Sequence, residues 1–173
     1  MPEQVKAFGV ETRFGPVRAA LGGKGLLAAS LWGGGAERLE RILARRAKGL
    51  AIVAVDPLSL AEGRLLAAYL AGRGKDLKTR LDLSGLPDFT ARVLRVVAAI
   101  PYGQTKSYGE VARLAGSPRA ARAVGQVMHN NPLPLFVPCH RVVGSDGSLV
   151  GFGSGLANKS AILDMEAGGQ PLA

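Results

Sequence analysis

One cysteine, Cys139, and two histidines, His129 and His140, are all the thiol and imidazole in 173 residues. A single cysteine excludes an intramolecular disulfide, and one Cys with two His cannot build a zinc site of the usual kind. Residues 1–128 hold neither type, so the N-terminal half is expected to be metal-free, and no cofactor is expected anywhere. No run of about eighteen apolar residues occurs. The opening Met1 to Lys6 has no apolar signal core, so the chain reads as soluble and cytoplasmic, with no membrane partner. Acidic residues are scarce as well. Thirteen Asp and Glu against 22 Lys and Arg leave a net charge of +9, which suggests a polyanionic partner. An arginine-rich, thermophile-like surface without a partner would give the same excess. There is no internal repeat and no low-complexity tract.

What the chain does have is concentrated in Phe136-Val137-Pro138-Cys139-His140-Arg141-Val142-Val143-Gly144. A lone cysteine is commonly a buried small hydrophobe. Here Pro138 suits the first position of a helical turn, which puts Cys139 near the turn's positive end, where a thiolate is favoured, and more so beside an imidazole. Neighbouring residues on a strand point opposite ways, so His140 is expected to reach Cys139 through a bridging water.

Phe8 to Trp32 reads as a β-meander punctuated by Gly15-Pro16 and Gly22-Gly23. Gly33-Gly34-Gly35 lacks a P-loop lysine and reads as a turn. Leu39, Ile42, Leu43 and Ala47 recur at helical spacing over Ala36 to Lys48. A short buried strand, Leu50 to Val55, and a helix over Leu60 to Ala71 follow. Leu77, Thr79, Leu81 and Leu83 alternate with polar residues, predicting a strand over Asp76 to Leu83. Ser84-Gly85-Leu86-Pro87 breaks the pattern, so residues 1–84 are expected to form a supporting domain and residues 85–173 a second one.

In the second half, Val93, Leu94, Val97 and Ala98 make Phe89 to Ile100 an amphipathic helix. Ser107-Tyr108-Gly109-Glu110 is a capping box opening a helix over Tyr108 to Leu114. Gly116 closes it, and Ser117-Pro118 is read as the start of another helix, serine capping and proline first. Two short helices about a glycine-containing turn form a helix-turn-helix pattern. On the second, Arg119, Arg122 and Gln126 share one face at i, i+3, i+7 among small residues. Ala120, Ala121 and Val124 fit tight helix packing; the arginines fit phosphates or a groove.

The blocks Ile100-Pro101-Tyr102-Gly103, Ser107-Tyr108-Gly109-Glu110-Val111-Ala112, Arg122-Ala123-Val124-Gly125, Asn130-Asn131-Pro132 and Pro138 to Gly144, in this order, resemble the O6-alkylguanine-DNA alkyltransferases. The resemblance is close over about Phe89 to Gly168 and looser before it. It implies an α+β fold, a small N-terminal β-meander and helix domain beside a mainly helical, winged-helix-like C-terminal domain. It also implies a single-use repair protein acting as a monomer on double-stranded DNA containing O6-alkylguanine, with O4-alkylthymine left open. The base is flipped out and its alkyl group moves permanently to Cys139. In that resemblance His140 acts through a water as the base and Glu166 orients it. Tyr108 gives a proton to the leaving guanine, and Asn131 braces the segment between recognition helix and site. Arg122 enters the base stack, with Arg119, Ala121 and Gln126 beside it on DNA in the minor groove. Met128, Val142 and Phe152 wall the pocket, and the glycine-rich loop through Gly153 and Ser154 meets the base. Many relatives have Tyr at Phe152, followed by Ser or a small residue; here the serine comes one place later, at Ser154, so backbone amides of the loop are the expected O6 contact. Arg141 is expected to pair with a carboxylate, and His129 to have no catalytic role.

Two other readings stand beside this one. An alkyltransferase-like protein that binds the lesion without chemistry would lack the nucleophile that Cys139 supplies. A helix-turn-helix regulator would have no use for Cys139-His140 with a distant Glu166. A cysteine hydrolase fits less well, because its base is usually remote in sequence from the thiol.

Overall fold

A computed structural model describes residues 3–75, 77–151 and 155–173. The chain divides into two compact units, Met1–Gly85 with Pro171–Ala173, and Leu86–Gln170. No helix among the described residues is long and apolar enough to cross a membrane.

In the first unit, strands β1 (Gln4–Val10), β2 (Val17–Gly22) and β3 (Gly25–Ser30) form the expected meander, which begins at Gln4 rather than Phe8. Helix α1 (Gly35–Arg46) then returns the chain to β4 (Ala51–Ala54), which pairs parallel with β1, giving the sheet order β3-β2-β1-β4. Leu39, Leu43 and Ala47 bury against Val5, Ala20, Leu27 and Ala28, with Ile42 and Leu50 at the margin. The strand expected to be buried over 50–55 is exposed along its length: Ile52 is 52% and Val53 39% accessible. It sits at the sheet edge, while α1 lies over β2 and β3. Helix α2 (Ala61–Leu70) buries Leu66, Tyr69 and Leu70 and lies against β1.

Two further expectations for this unit need correction. Residues 77–83 do not form a strand; only Leu81 bridges, to Leu26, through Leu26 N–H to the Arg80 carbonyl and Asp82 N–H to the Leu26 carbonyl. Asp76, placed at the start of that strand, lies outside the described residues. Residues 171–173, assigned by sequence to the second domain, join the first unit. Leu172 is fully buried; its N–H donates to the Leu70 carbonyl, and its own carbonyl accepts from Arg13 N–H, both at 2.9 Å.

The second unit holds α3 (Asp88–Ala98), β5 (Lys106–Ser107), α4 (Tyr108–Leu114), α5 (Ala121–His129), β6 (Val142–Val143) and α6 (Leu156–Glu166). Helix α3 buries Ala91, Val93, Leu94 and Val97 and packs on both α4 and α5. The capping box is present in full: Ser107 Oγ accepts from Glu110 N–H and the Glu110 carboxylate from Ser107 N–H. At the other end, Gly116 takes φ 78°, Gly116 N–H bonds the Arg113 carbonyl and Ser117 N–H the Ala112 carbonyl. That is a Schellman closure, with glycine in the left-handed position. It commits Ser117 to the end of α4, so Ser117-Pro118 does not start α5. Residues 117–120 turn instead, Ala120 N–H bonding the Ser117 carbonyl, and α5 begins at Ala121.

Candidate active site

The placement of Cys139 follows from a two-residue pairing. Strand β5 runs directly into α4, so its next residue, Tyr108, stands at the first helical position behind the Ser107 cap. Strand β6 directly follows a single 3-10 turn, Cys139–Arg141. The two strands pair in parallel, Lys106 with Val142 and Ser107 with Val143, and this brings the start of α4 alongside the Cys139 turn. Pro138 precedes that turn, and Cys139, not Pro138, is its first residue. Cys139 is 3% accessible.

The segment leading into the turn is held from within. Asn131 follows α5 and is buried; its Oδ1 accepts from Leu133 N–H and its Nδ2 donates to the Val137 carbonyl, each at 2.9 Å. The same carbonyl accepts Cys139 N–H at 2.7 Å. Between these anchors the buried Leu135 has φ 71°, a left-handed backbone that a leucine adopts only when its surroundings impose it. One amide side chain thus spans from the end of α5 to the backbone carrying the thiol.

Glu166, the last residue of α6, is the centre of the polar site. Its Oε1 lies 2.8 Å from His140 Nε2 and 2.7 Å from Arg141 Nη2; Arg141 Nε donates to Oε2 at 3.0 Å, and Gly103 N–H to the same oxygen at 3.3 Å. Arg141 Nη1 donates to the Ile100 carbonyl at 2.6 Å. The carboxylate expected for Arg141 is therefore the one expected to orient His140. Burial pushes the His140 pKa below the ordinary imidazole value, against the hydrogen bond and charge of Glu166. The direction has a simple cause: Glu166 already balances the permanent charge of Arg141, so a proton on His140 would leave one uncompensated buried cation. His140 is a neutral imidazole with Nε2 held by Glu166, and its Nδ1 is fully buried.

Tyr108 donates its hydroxyl to the Val150 carbonyl at 2.7 Å, with Gly151 O at 3.3 Å. Gly151 has φ 59°, and a Cβ there would stand 3.5 Å from that hydroxyl. Burial, and then the negative charge of a Cys139 thiolate, raise the Tyr108 pKa, so the phenol keeps its proton. Met128 and Val142 are buried; Arg122 and Gln126 are exposed on α5, with Ala121 half-buried at its start. Arg119 is exposed but lies in the turn ahead of α5, so the three-residue face reduces to Arg122 and Gln126 on the helix itself. Phe152, Gly153 and Ser154, the expected base-side loop, lie outside the described residues.

Residues 88–168 match the family model for the 6-O-methylguanine DNA methyltransferase DNA-binding domain. The methylated-DNA–protein-cysteine methyltransferase of Mycobacterium bovis is 47% identical over 106 residues, 61% of this chain and 64% of that protein's length. Along nearly the whole chain, the crystal structure of Mycobacterium tuberculosis O6-methylguanine methyltransferase is 34% identical, with TM-score 0.74 and 98% and 97% of the two chains covered. The chain belongs to the O6-alkylguanine-DNA alkyltransferase family. The structure of M. tuberculosis OGT in complex with DNA is similar too, at 32% identity, TM-score 0.78 and 96% of each chain.

One residue of this alkyltransferase-family site has no counterpart in the sequence reading. Lys159 on α6 is fully buried, its Nζ donating to the carbonyls of Val142 and Val150. Its signal was its spacing: Lys159, Ile162 and Glu166 fall at i, i+3, i+7, so Glu166 and Lys159 share a helix face.

Proposed function

We propose that this protein repairs O6-alkylguanine in double-stranded DNA by one irreversible transfer of the alkyl group to Cys139. The observation that carries this reading is the chain's sole thiol at the head of a turn whose next side chains, His140 and Arg141, share the buried Glu166 carboxylate. Neutral His140, through a water at Nδ1, takes the thiol proton. The thiolate sulfur attacks the alkyl carbon; the S–C bond forms, the C–O bond breaks, and the electron pair moves into the purine. Tyr108, which holds its proton until then, supplies it to the leaving base. The product is a thioether, a poor leaving group, so the protein acts once.

Arg122 on α5 fills the space of the flipped nucleotide, offsetting part of the few kcal/mol that unstacking costs. Ala121 and Gln126 lie beside it at the minor groove, and Arg119 meets the backbone from the preceding turn. Met128 and Val142 wall the alkyl pocket. Asn131 braces the segment between helix and thiol. The protein works as a monomer in the cytoplasm. The test is an O6-methylguanine duplex mixed with protein in molar excess of DNA and in deficit. Intact mass should rise by one methylene per molecule, mapped to the Cys139 peptide, and stop there. Cys139→Ala should bind the duplex with wild-type affinity, falling steeply with salt, and transfer nothing. Repeated turnovers, or label on another residue, would overturn the reading.

A further inference from the structure

The first unit has no task in the steps proposed above, yet it carries most of the excess charge. Residues 1–85 hold 14 Lys and Arg against eight Asp and Glu, so +6 of the chain's net +9 lies there. On α1 the fold itself uses one cation, Arg46. It turns inward, its Nη1 donating to the Leu27 carbonyl and its Nη2 to the carbonyls of Asp82 and Ser84. The other cations face the opposite way. Arg38, Arg41 and Arg45 fall at i, i+3, i+7, and Lys48 stands in the turn just after the helix. At 3.6 residues per turn the three arginines cover an arc of about 60°. That arc lies opposite Leu39 and Leu43, which bury against the sheet. Glu37 borders it and Glu40 falls outside it. Arg41, Arg45 and Lys48 are exposed and make no hydrogen bond or ion pair among the described residues.

We propose that this arc of α1 is a second DNA-binding surface, which takes backbone phosphates of undamaged double-stranded DNA without regard to sequence. A surface built only for thermal stability would weave its arginines into ion-pair networks, and Arg41, Arg45 and Lys48 belong to none. Cations near a helix C-terminus can answer its negative end, which suits Arg45 and Lys48. Arg41, in the middle of α1, has no such task. Arg41 and Arg45 are moreover like charges at i, i+4, a spacing that costs an isolated helix stability and that a polyanion relieves. Guanidinium groups pair two-pronged with phosphate oxygens, and a duplex offers those at close intervals along its whole length. Such contacts position a protein on DNA and read no bases. The binding is independent of Cys139 and of the transfer reading above.

The test is the affinity of the whole protein for an undamaged duplex, measured against salt. Each phosphate contact on B-DNA contributes about 0.9 to the slope of log K against log salt. The triple variant Arg41→Gln, Arg45→Gln, Lys48→Gln should therefore flatten that slope by about 2 to 3. A control that removes the same charge from other exposed positions of the first unit, Lys6→Gln with Arg73→Gln and Lys75→Gln, should change it by less than one contact's share. Equal slopes in wild type and the arc variant, or an equal loss in the control, would overturn the proposal. So would lost binding to polyglutamate with the duplex slope unchanged, which would give the arc to an acidic protein. Should the triple variant not fold, Arg41→Gln alone should flatten the slope by about 0.9, and no change there overturns the proposal. Alkylation of Cys139 by the free base O6-methylguanine needs no duplex and should run at the wild-type rate in the arc variant. A slowed rate would place the effect in the active site and overturn the proposal; no alkylation of either protein would count against the transfer reading alone.

Discussion

Glu166 serves two residues that differ in one respect: Arg141 carries a permanent charge and His140 does not. Taking the carboxylate's charge away while keeping its shape should therefore strand Arg141, whose guanidinium is buried. Glu166→Gln is expected to lose about 3–5 kcal/mol in denaturant unfolding, the usual cost of breaking a buried pair from one side. The same variant should need higher pH for alkylation, because His140 loses the negative charge that favours its taking up a proton. Unchanged stability would mean that Arg141 has another counter-charge. Cys139 and His140 were legible in the sequence within the ordered motif blocks, and Glu166 only through the family resemblance that those blocks carry. Lys159 was not, because a lysine in a helix is read as solvent-facing, and only its spacing from Glu166 tells otherwise.

At the scale of elements, the segment from Asn131 to Cys139 has almost no regular structure and depends on one side-chain amide. Asn131→Asp keeps the acceptor for Leu133 N–H but replaces the donor with an oxygen facing the Val137 carbonyl. The Val137 carbonyl keeps the Cys139 N–H, so the new carboxylate oxygen is the buried group left without a donor, at a cost of about 1–3 kcal/mol. Leu135, held in the left-handed region, should relax with it, and Cys139 should alkylate faster with iodoacetamide. Stability and labelling rate equal to wild type would show that the amide is not the brace. Local chemistry made α4 legible from cap to cap, since Ser107, Glu110 and Gly116 each act within a few residues. The start of α5 was misread because the Ser117 N–H is drawn back to the Ala112 carbonyl. Residues 77–83 alternate as a strand would, yet only Leu81 meets a partner, Leu26. Alternation reports which side is wet, not whether a neighbour exists.

For the whole molecule, His140 links stability to acidity. Its folded pKa lies below the ordinary value of 6.5 because of burial, so below about pH 6.5 the unfolded chain takes up a proton that the folded chain refuses. Stability should therefore be flat just above that point and fall on acidification from about pH 6.5 to about pH 5, before ordinary carboxylates titrate. His140→Asn should flatten that part of a Tm against pH curve, at lower stability throughout. A Tm that rises on acidification would contradict a neutral buried imidazole. The first unit carries a different kind of dependence, set by Leu172. Removing residues 171–173 should cost it about 1.5–3 kcal/mol for one buried leucine, besides the hydrogen bonds to Leu70 and Arg13. Translation delivers those residues only after every residue of the second unit has been made. On the ribosome, then, β1 to α2 must wait in an unfinished state while Leu86–Gln170 is synthesised, and the part of the chain made first is the part completed last.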